Sequence, residues 1–461
     1  MPRQPSLLSE LRAVQKRYGN FESLDLLVPD MSGILKGKRI RPGEFEKSCK
    51  GGFVFCAGAT LLTGLGEVVS GVPYGADDGD PDLNAKLVPG SIVPVPWSNK
   101  PMGQAFFRIV DEDGGDFFGD PRTVLENALK PLYKRGLKVV VATELEFYLL
   151  DANSQEARVG APTVPGTNRV QPGTQVYNPD DLFEVEGFLD DVYDWCEVQK
   201  VPAQAAISEY APGQFEINLH HVDDPVLACD HAVMLKRIIK AAARKHGFIA
   251  CFMAKPFEED AGSGLHIHMS LVDKNGDNYF SMGKDKLALP PFSARLRNAV
   301  GGLLRLMPET TLICAPNANS YRRLRPDMFA PVEPNWGVNH RVVSIRVPES
   351  DEKNLRLEHR PAGADANPYL VMAAVAAGVH WGMKNRIDPG RMVEQGEEIN
   401  PRLKIPHRWD AAIKRFERSK VLPEYLGKDY CRYFAMVRRA EEQAYHNEIP
   451  PLDFDWYLRS V

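Results

Sequence analysis

The chain has 461 residues, 44% hydrophobic and 25% charged, with a formal net charge of −5. That length favours two domains, one of them large, and the composition suits a chain able to bury a substantial core. The slight acidity gives no electrostatic basis for binding nucleic acid. No apolar run reaches the roughly 20 residues that span a bilayer, and the seven cysteines, none in a CxxC pair, fit neither a disulfide framework nor a zinc site.

In chain order, MPRQPSLLSELRAVQKRYGN carries charges throughout and lacks the apolar centre of a secretion signal. It predicts a short amphipathic helix and, with the scattered cysteines, a cytoplasmic protein. SLDLLVPDMSGILKGKRI, residues 23–40, predicts two short strands about a Met-Ser-Gly turn. Residues 53–96, rich in Gly, Pro and Asp, predict loops and short strands. Asp120 followed by Pro121 marks a helix start, the aspartate as cap and the proline at the first helical position. A helix from Thr123 to Arg135 leads into the strand LKVVVATELEFYLL. The change of texture predicts an N-terminal domain over residues 1–110 and a larger one over 111–461, with strand-rich α+β character in both. Further on, RVGAPTVPGTNRVQPGTQ (158–175) reads as a polar loop, Leu182–Lys200 as an amphipathic helix, and Asn367–Ile387 as a buried, Ala-rich helix.

Within the apolar strand, Glu144 and Glu146 stand two apart, so both carboxylates share one face. Two such acids repel each other and resist desolvation unless a cation compensates them; a wet strand edge is the alternative. In AGSGLHIHMSL (261–271), Leu265, Ile267 and Met269 alternate with His266, His268 and Ser270, a strand with one polar face ahead of a hairpin turn at Asp273–Asp277. Histidines facing solvent would give the same pattern. Glu209 and Glu216 flank Pro212-Gly213, a spacing that suits a hairpin offering both acids from adjacent strands. Glu358 lies between Arg356 and Arg360, with Arg341 and Arg346 shortly before. Several carboxylates with an imidazole and no thiolate describe a site for hard divalent cations, Mg²⁺ or Mn²⁺. Two such ions can clamp a transferring phosphoryl group, and guanidinium groups suit carboxylate and phosphate forks. No Walker motif is present, so any nucleotide needs another cradle.

The stretches ELEF, SEYAPGQFEIN, GSGLHIHMSL, NSYRRL, SIRVP, RLEHRPAGADANPYL and GMKNRI, in this order, resemble the glutamine synthetases. The likeness runs across nearly the whole chain and is tightest from Glu144 to Ile387. It implies a small N-terminal β-grasp domain and a larger catalytic α/β domain, whose antiparallel sheet forms a funnel open to ATP at one end and glutamate at the other. Stacked rings of subunits, a dodecamer with active sites shared between neighbours, are implied as well. Metals, two or three per site, would sit on Glu146, Glu209 and Glu216, and on Glu144, His266 and Glu358. His268 and Ser270 would meet ATP, and Arg346 and Arg356 its phosphates. Gly262 and Arg323 would hold glutamate, with Arg341 and Arg360 as catalytic groups beside the γ-carboxylate. The implied reaction phosphorylates that carboxylate, and an amine then attacks the acyl phosphate.

The departures bear on which amine. Ammonium-using members carry an acid just before the Ala-Pro pair after the NSYKRL-type segment, where RRLRPDMFAP has Phe329. Where they carry Asp-Gly-Ser-Ser, FCAGAT (55–60) has no acid and offers Cys56 and Ala57. The usual Asn before Gly-Ser-Gly is Ala261, and the tyrosine-bearing adenylylation segment has no evident counterpart near Gln395–Ile405. Without acids to attract a small cation, the pattern resembles the γ-glutamylpolyamine and γ-glutamylamine synthetase branch, in which an organic amine replaces ammonia. The expectation is therefore a glutamate–amine ligase of polyamine or amine catabolism, with Phe329, Cys56 and Ala57 as amine-site candidates. An ammonium-dependent glutamine synthetase and a catalytically silent binding homologue are the alternatives. The acids of GADDGDPD (75–82) are candidates for a polyamine's distal ammonium, whereas Phe329 suits an apolar amine.

Overall fold

The computed structural model of the chain describes residues 6–152, 169, 175–281, 292–326, 330–397 and 404–461. The polar stretch 158–175 therefore lies almost wholly outside the described residues, as do Phe329 and residues 398–403 of the Gln395–Ile405 stretch.

The amphipathic N-terminal segment forms α1 (Leu7–Tyr18), started by Ser6, whose hydroxyl accepts from Ser9 N, and ended at Gly19 with φ 94°. Behind it come β1 (Ser23–Pro29), β2 (Leu35–Ile40), α2 (Pro42–Gly51), β3 (Phe53–Cys56), β4 (Asp82–Leu87), β5 (Val93–Pro94) and β6 (Met102–Val110). These strands make one sheet in the order β2-β1-β6-β4-β3, with β5 on β6. β1 runs parallel to β6 and the other neighbours are antiparallel, the mixed arrangement of a β-grasp. Every residue of β1 is buried, so both of its faces are covered.

α3 (Pro121–Lys134) starts as the sequence predicts, with Asp120 accepting from Arg122 N ahead of Pro121. The helix expected over 182–200 forms in two pieces, α4 (Pro179–Phe183) and α5 (Glu186–Gln199). Val185, at φ −118° and ψ 20°, leaves the helical region and breaks it, and Lys200 ends it at φ 59°. The second sheet is built on β7 (Lys138–Asp151), with β8 (Ala203–Ser208), β9 (Gln214–Leu219), β10 (Phe248–Cys251), β11 (Leu265–Val272), β12 (Trp336–Val338), β13 (Ile345–Val347) and β14 (Leu357–His359). Its order is β12-β13-β14-β11-β7-β9-β8, with β10 on β7, and every pair except β12–β13 is antiparallel.

In β7 the residues Val139, Val141, Thr143, Leu145 and Phe147 turn inward, each at most 1% exposed. The intervening side chains, Glu144 and Glu146 among them, point to the opposite face. The inward face packs on α6 (Pro225–Lys245), and α6 packs on α9 (Pro368–Asn385), which also meets α3 and α7 (Ala294–Cys314). The Ala-rich helix is thus a core helix, buried without interruption from Pro368 to Val379. The short α8 (Ser320–Arg323) lies between α7 and the strands β12–β14, and α10 (Trp409–Glu417), α11 (Leu422–Leu426), α12 (Lys428–Asn447) and α13 (Pro451–Tyr457) close the chain. The two sheets are tied by Arg237 of α6, which donates to Asp25 at 3.0 Å, and by the amide of Asn367, which donates to the carbonyls of Asp30 and Met31. Among the described residues no helix is long and apolar enough to cross a membrane. All seven cysteines are free.

Candidate active site

Strand register gathers side chains that are far apart in sequence. β7 pairs with β11 so that Glu144 faces His266, and with β9 so that Glu146 faces Glu216 and Glu144 faces Asn218. β11 sets His268 opposite Glu358 on β14, and β14 sets Glu358 opposite Arg346 on β13. Directly opposed side chains on one face start about 5 Å apart, close enough to interact. Glu209 joins from the turn after β8, where its N–H donates to Gln214 O at 2.9 Å. Gly213 takes φ 71° in that turn, so the Glu209–Glu216 hairpin forms as its Pro-Gly spacing predicts.

Ligand atoms of Glu146, Glu209 and Glu216 lie within 4.8 Å of one another. The other set that the resemblance implies is not gathered as one group: Glu144 clusters with Glu216 and His266, and separately with His268 and Glu358. The bonds explain the split. Glu144 is gripped by both histidines, with Oε2 at 3.2 Å from His266 Nδ1 and Oε1 at 2.8 Å from His268 Nε2, and it accepts from Asn218 Nδ2 at 3.1 Å. Glu358 is turned toward Arg346 Nη1 at 2.8 Å and toward Arg360, which leaves its Oε1 3.9 Å from His266 Nδ1.

The acids sit in opposed electrostatic settings. Burial acts to raise Glu144, yet hydrogen bonds from His266 and His268 hold it well below the usual carboxylate range. Burial acts likewise on Glu358, and Arg360 with the two histidines overrides it, bringing its pKa down to about 2. Glu209 is pushed up to about 7 by burial and by the charge of Glu146, against the pull of Arg341 and Arg360. Glu216 rises well above its ordinary value through burial and the charges of Glu144, Glu146 and Glu209. A buried carboxylate group that the protein's own cations leave undercompensated can be neutralised by protons or by a divalent ion, and the ligand atoms here are close enough together for such an ion. Oxygen donors beside an imidazole suit a hard one.

At one end of this cluster the backbone is drawn unusually close. A side chain at Gly262 would place its Cβ 2.6 Å from Ala254 O and 2.8 Å from Arg323 Cγ, and one at Gly264 would come 2.9 Å from His266 Nε2. Glycine is therefore required where this segment passes Arg323. Gly264 N donates to Glu146 Oε2 at 2.6 Å, which joins the glycine segment to the acids. Arg323 is 4% exposed and donates through Nη1 to Pro361 O at 2.9 Å. Two residues not singled out in the sequence hold the same segment: Gln214 donates to Gly262 O at 3.1 Å and the Tyr148 hydroxyl to Ala261 O at 2.5 Å. Gln214 precedes Glu216 by two residues, Asn218 follows it by two, and Tyr148 follows Glu146 by two. Extending the period-two reading along the acid-bearing strands finds all three.

At the other end a cleft of about 760 Å³ opens beside Glu144, Asn218, His268, Ser270, Lys353 and Arg356, a size typical of small-molecule sites. Arg356 Nε lies 3.4 Å from His268 Nδ1. Of the amine-site candidates, Phe329 lies outside the described residues, and Cys56 and Ala57 lie in the N-terminal sheet region. Cys56 ends β3 and Ala57 begins the 3₁₀ turn Ala57–Thr60. Cys56 lines an apolar hollow of about 330 Å³ that shares no lining residue with the cleft. In the stretch 75–82, Asp77 accepts from Ser70 Oγ at 2.9 Å and Gly71 N at 3.2 Å, and Asp78 from Tyr74 N at 2.8 Å. These two acids thus fasten their own loop.

The profile of "Glutamine synthetase, catalytic domain" matches residues 118–457. The chain is 38% identical over 462 residues, covering 100% of it and 96% of the relative, to the gamma-glutamylputrescine synthetase PuuA of Escherichia coli strain K12. It is 30% identical over 91% of both chains to a glutamate–isopropylamine ligase from a Pseudomonas species. It is 31% identical to the glutamine synthetase of Pyrococcus horikoshii, over 92% of this chain and 89% of that one. Ligand-free GmaS superposes with a TM-score of 0.81 over 97% of this chain and 99% of GmaS, at 24% identity, a likeness of fold.

Proposed function

Because the chain belongs to the glutamine synthetase family, we propose that it joins the γ-carboxylate of glutamate to an organic primary amine, with conversion of ATP to ADP and phosphate. The observation that carries this reading is the convergence, on one sheet face, of buried acids, two histidines and Arg346 and Arg360. Its relatives PuuA and the glutamate–isopropylamine ligase, each matched along nearly its full length, support an organic amine as acceptor.

In this reading Glu146, Glu209 and Glu216 hold one divalent cation and Glu144, His266 and Glu358 help hold another, Mg²⁺ or Mn²⁺, with room for a third. Such ions, once bound, neutralise phosphate charge and polarise the phosphoryl group under transfer. The protein's own residues do the rest. His268, Ser270 and Arg356 line the cleft and orient the nucleotide, with Arg346 beside them at Glu358. Gly262 and Arg323 hold glutamate. Arg341 and Arg360, whose charges act on Glu209, lie beside its γ-carboxylate. A γ-carboxylate oxygen attacks the γ-phosphorus and ADP leaves; the neutral amine nitrogen then attacks the acyl carbon, the C–O bond to phosphate breaks, and the nitrogen's surplus proton leaves with the departing phosphate as hydrogen phosphate, giving the γ-glutamylamide.

Phe329, Cys56 and Ala57 are proposed to shape the amine's entrance, with Cys56 and Ala57 supplied by a neighbouring copy in a ring. A dodecamer, domains over 1–110 and 111–461, and a cytoplasmic setting complete the proposal. Phosphate release with glutamate, ATP and Mg²⁺ across a panel of diamines, alkylamines and ammonium tests it. Turnover with organic amines well above ammonium is expected, and strong turnover with ammonium alone would identify an ordinary glutamine synthetase instead.

A further inference from the structure

Asp365, in the turn between β14 and α9, has no place among the metal, nucleotide or glutamate assignments, yet its bonds reach the glutamate end of the site. Its Oδ2 accepts from Asn317 Nδ2 at 2.8 Å and from Ser320 Oγ at 2.7 Å. Its Oδ1 is buried without a hydrogen-bond partner. Ser320 opens α8 and Arg323 closes it. A helix of four residues does not hold itself, since nucleation is unfavourable and the first turn is its whole length. Asn319 at the cap position makes no cap bond; the start of α8 is held instead by Asn317, whose Oδ1 accepts from Asn319 N at 3.0 Å and Ser320 N at 3.3 Å and whose Nδ2 is the group that Asp365 binds. The Asn319 amide is engaged elsewhere, accepting from Lys255 N at 2.9 Å and donating to Lys255 O at 2.8 Å.

The segment 360–365 therefore holds both ends of α8. Asp365 fastens its start, and the carbonyl of Pro361 takes the guanidinium at its end at 2.9 Å. The same segment is laced to the glycine-rich entry of β11 by Leu265 N donating to Ala362 O and Ala364 N donating to Ser263 O, both at 2.9 Å. We propose that Asp365 is a positioning residue for glutamate: it orients α8 so that Arg323 and, through Asn319 and Lys255, the 255–262 segment are set before the substrate arrives. The inference rests on the glutamate-binding reading given above. It differs from a bare counter-charge for the buried Arg323, because a counter-charge needs only the negative charge, whereas a clamp needs the acceptor geometry.

The test is calorimetry on the full-length protein with Mg²⁺ and a non-hydrolysable ATP analogue, measuring glutamate affinity and, in separate titrations, affinity for the analogue. Asp365→Ala is expected to weaken glutamate binding about tenfold or more, the scale of a lost supporting contact. Its affinity for the ATP analogue should stay within about twofold, as for an independent site. Asp365→Asn, which keeps an acceptor without the charge, should retain glutamate affinity within about threefold, and Ser320→Ala should lose a comparable few-fold by removing one of two bonds. Those two variants carry the test if the alanine variant does not fold. Unchanged glutamate affinity across the variants, equal losses for glutamate and nucleotide, or an asparagine variant as impaired as the alanine one would overturn the inference. A wild-type protein that binds the nucleotide but no glutamate would overturn the functional reading beneath it.

Discussion

Two groups of glutamates share one sheet face and behave oppositely. Glu144 and Glu358 are held ionised, one by two histidines and the other by two arginines. Glu209 and Glu216, a strand away, are pushed toward protonation by burial and by their acidic neighbours. The residue type is the same, so the partner decides the state. The first group already has cationic or imidazole partners within the protein, whereas the second is left undercompensated. That contrast makes the second group the sharper indicator of a metal.

The contrast breaks most visibly at Glu358. Replacing it with alanine strands Arg346 and Arg360, so Glu358→Ala should nearly abolish turnover and also destabilise the fold by about 3 kcal/mol or more. Thermal melts beside activity assays check this, and wild-type rates would show that the ligand assignment is wrong. Glu216→Ala should likewise cut turnover by more than about 100-fold, since even outer contacts to a metal are worth up to that much. It removes a repelling charge, however, so the metal-free protein should melt no lower than wild type and should lose most of the Mg²⁺-induced rise in melting temperature.

The smallest expected effect is in pH. Glu209 titrates near 7 in the folded chain, above its ordinary 4.5, so the stability it confers is complete below about pH 4.5 and is lost as pH rises toward 7. Glu358, down at about 2, has the opposite sign: its contribution is present above about pH 4.5 and lost only as pH falls toward 2. Metal-free protein should therefore melt progressively lower between pH 5 and about 7, and added Mg²⁺ should raise the melting temperature more at the upper end of that window. A metal-induced shift independent of pH would remove the basis for separating the two groups.

Much of this site was legible in the sequence because strands expose their pattern locally. Glu144 and Glu146, then His266 and His268, declare a polar face by alternation, and Asp120-Pro121 and the Ala-rich α9 declare themselves by cap chemistry and composition. Register was not legible. Nothing local sets Glu144 against His266 or His268 against Glu358, and the pairing of Glu144 with both histidines follows from β7 lying beside β11. Asp365 escaped for a related reason: in GADANP it reads as an ordinary turn aspartate, and its partners Asn317 and Ser320 lie more than forty residues earlier. The break at Val185 escaped because the amphipathic period continues across it. The acids of 75–82 looked available for an amine, and in Asp77 and Asp78 they serve their own loop.

The most direct test of the account follows the oxygen. Glutamate carrying ¹⁸O in its γ-carboxylate is incubated with ATP, Mg²⁺ and a primary amine, and phosphate and amide are analysed by mass spectrometry. If the cluster activates that carboxylate for an organic amine, each phosphate released gains one labelled oxygen while a γ-glutamylamide of the added amine accumulates in equal amount. Phosphate that carries no label, or label transfer that occurs with ammonium and with no organic amine, would contradict it.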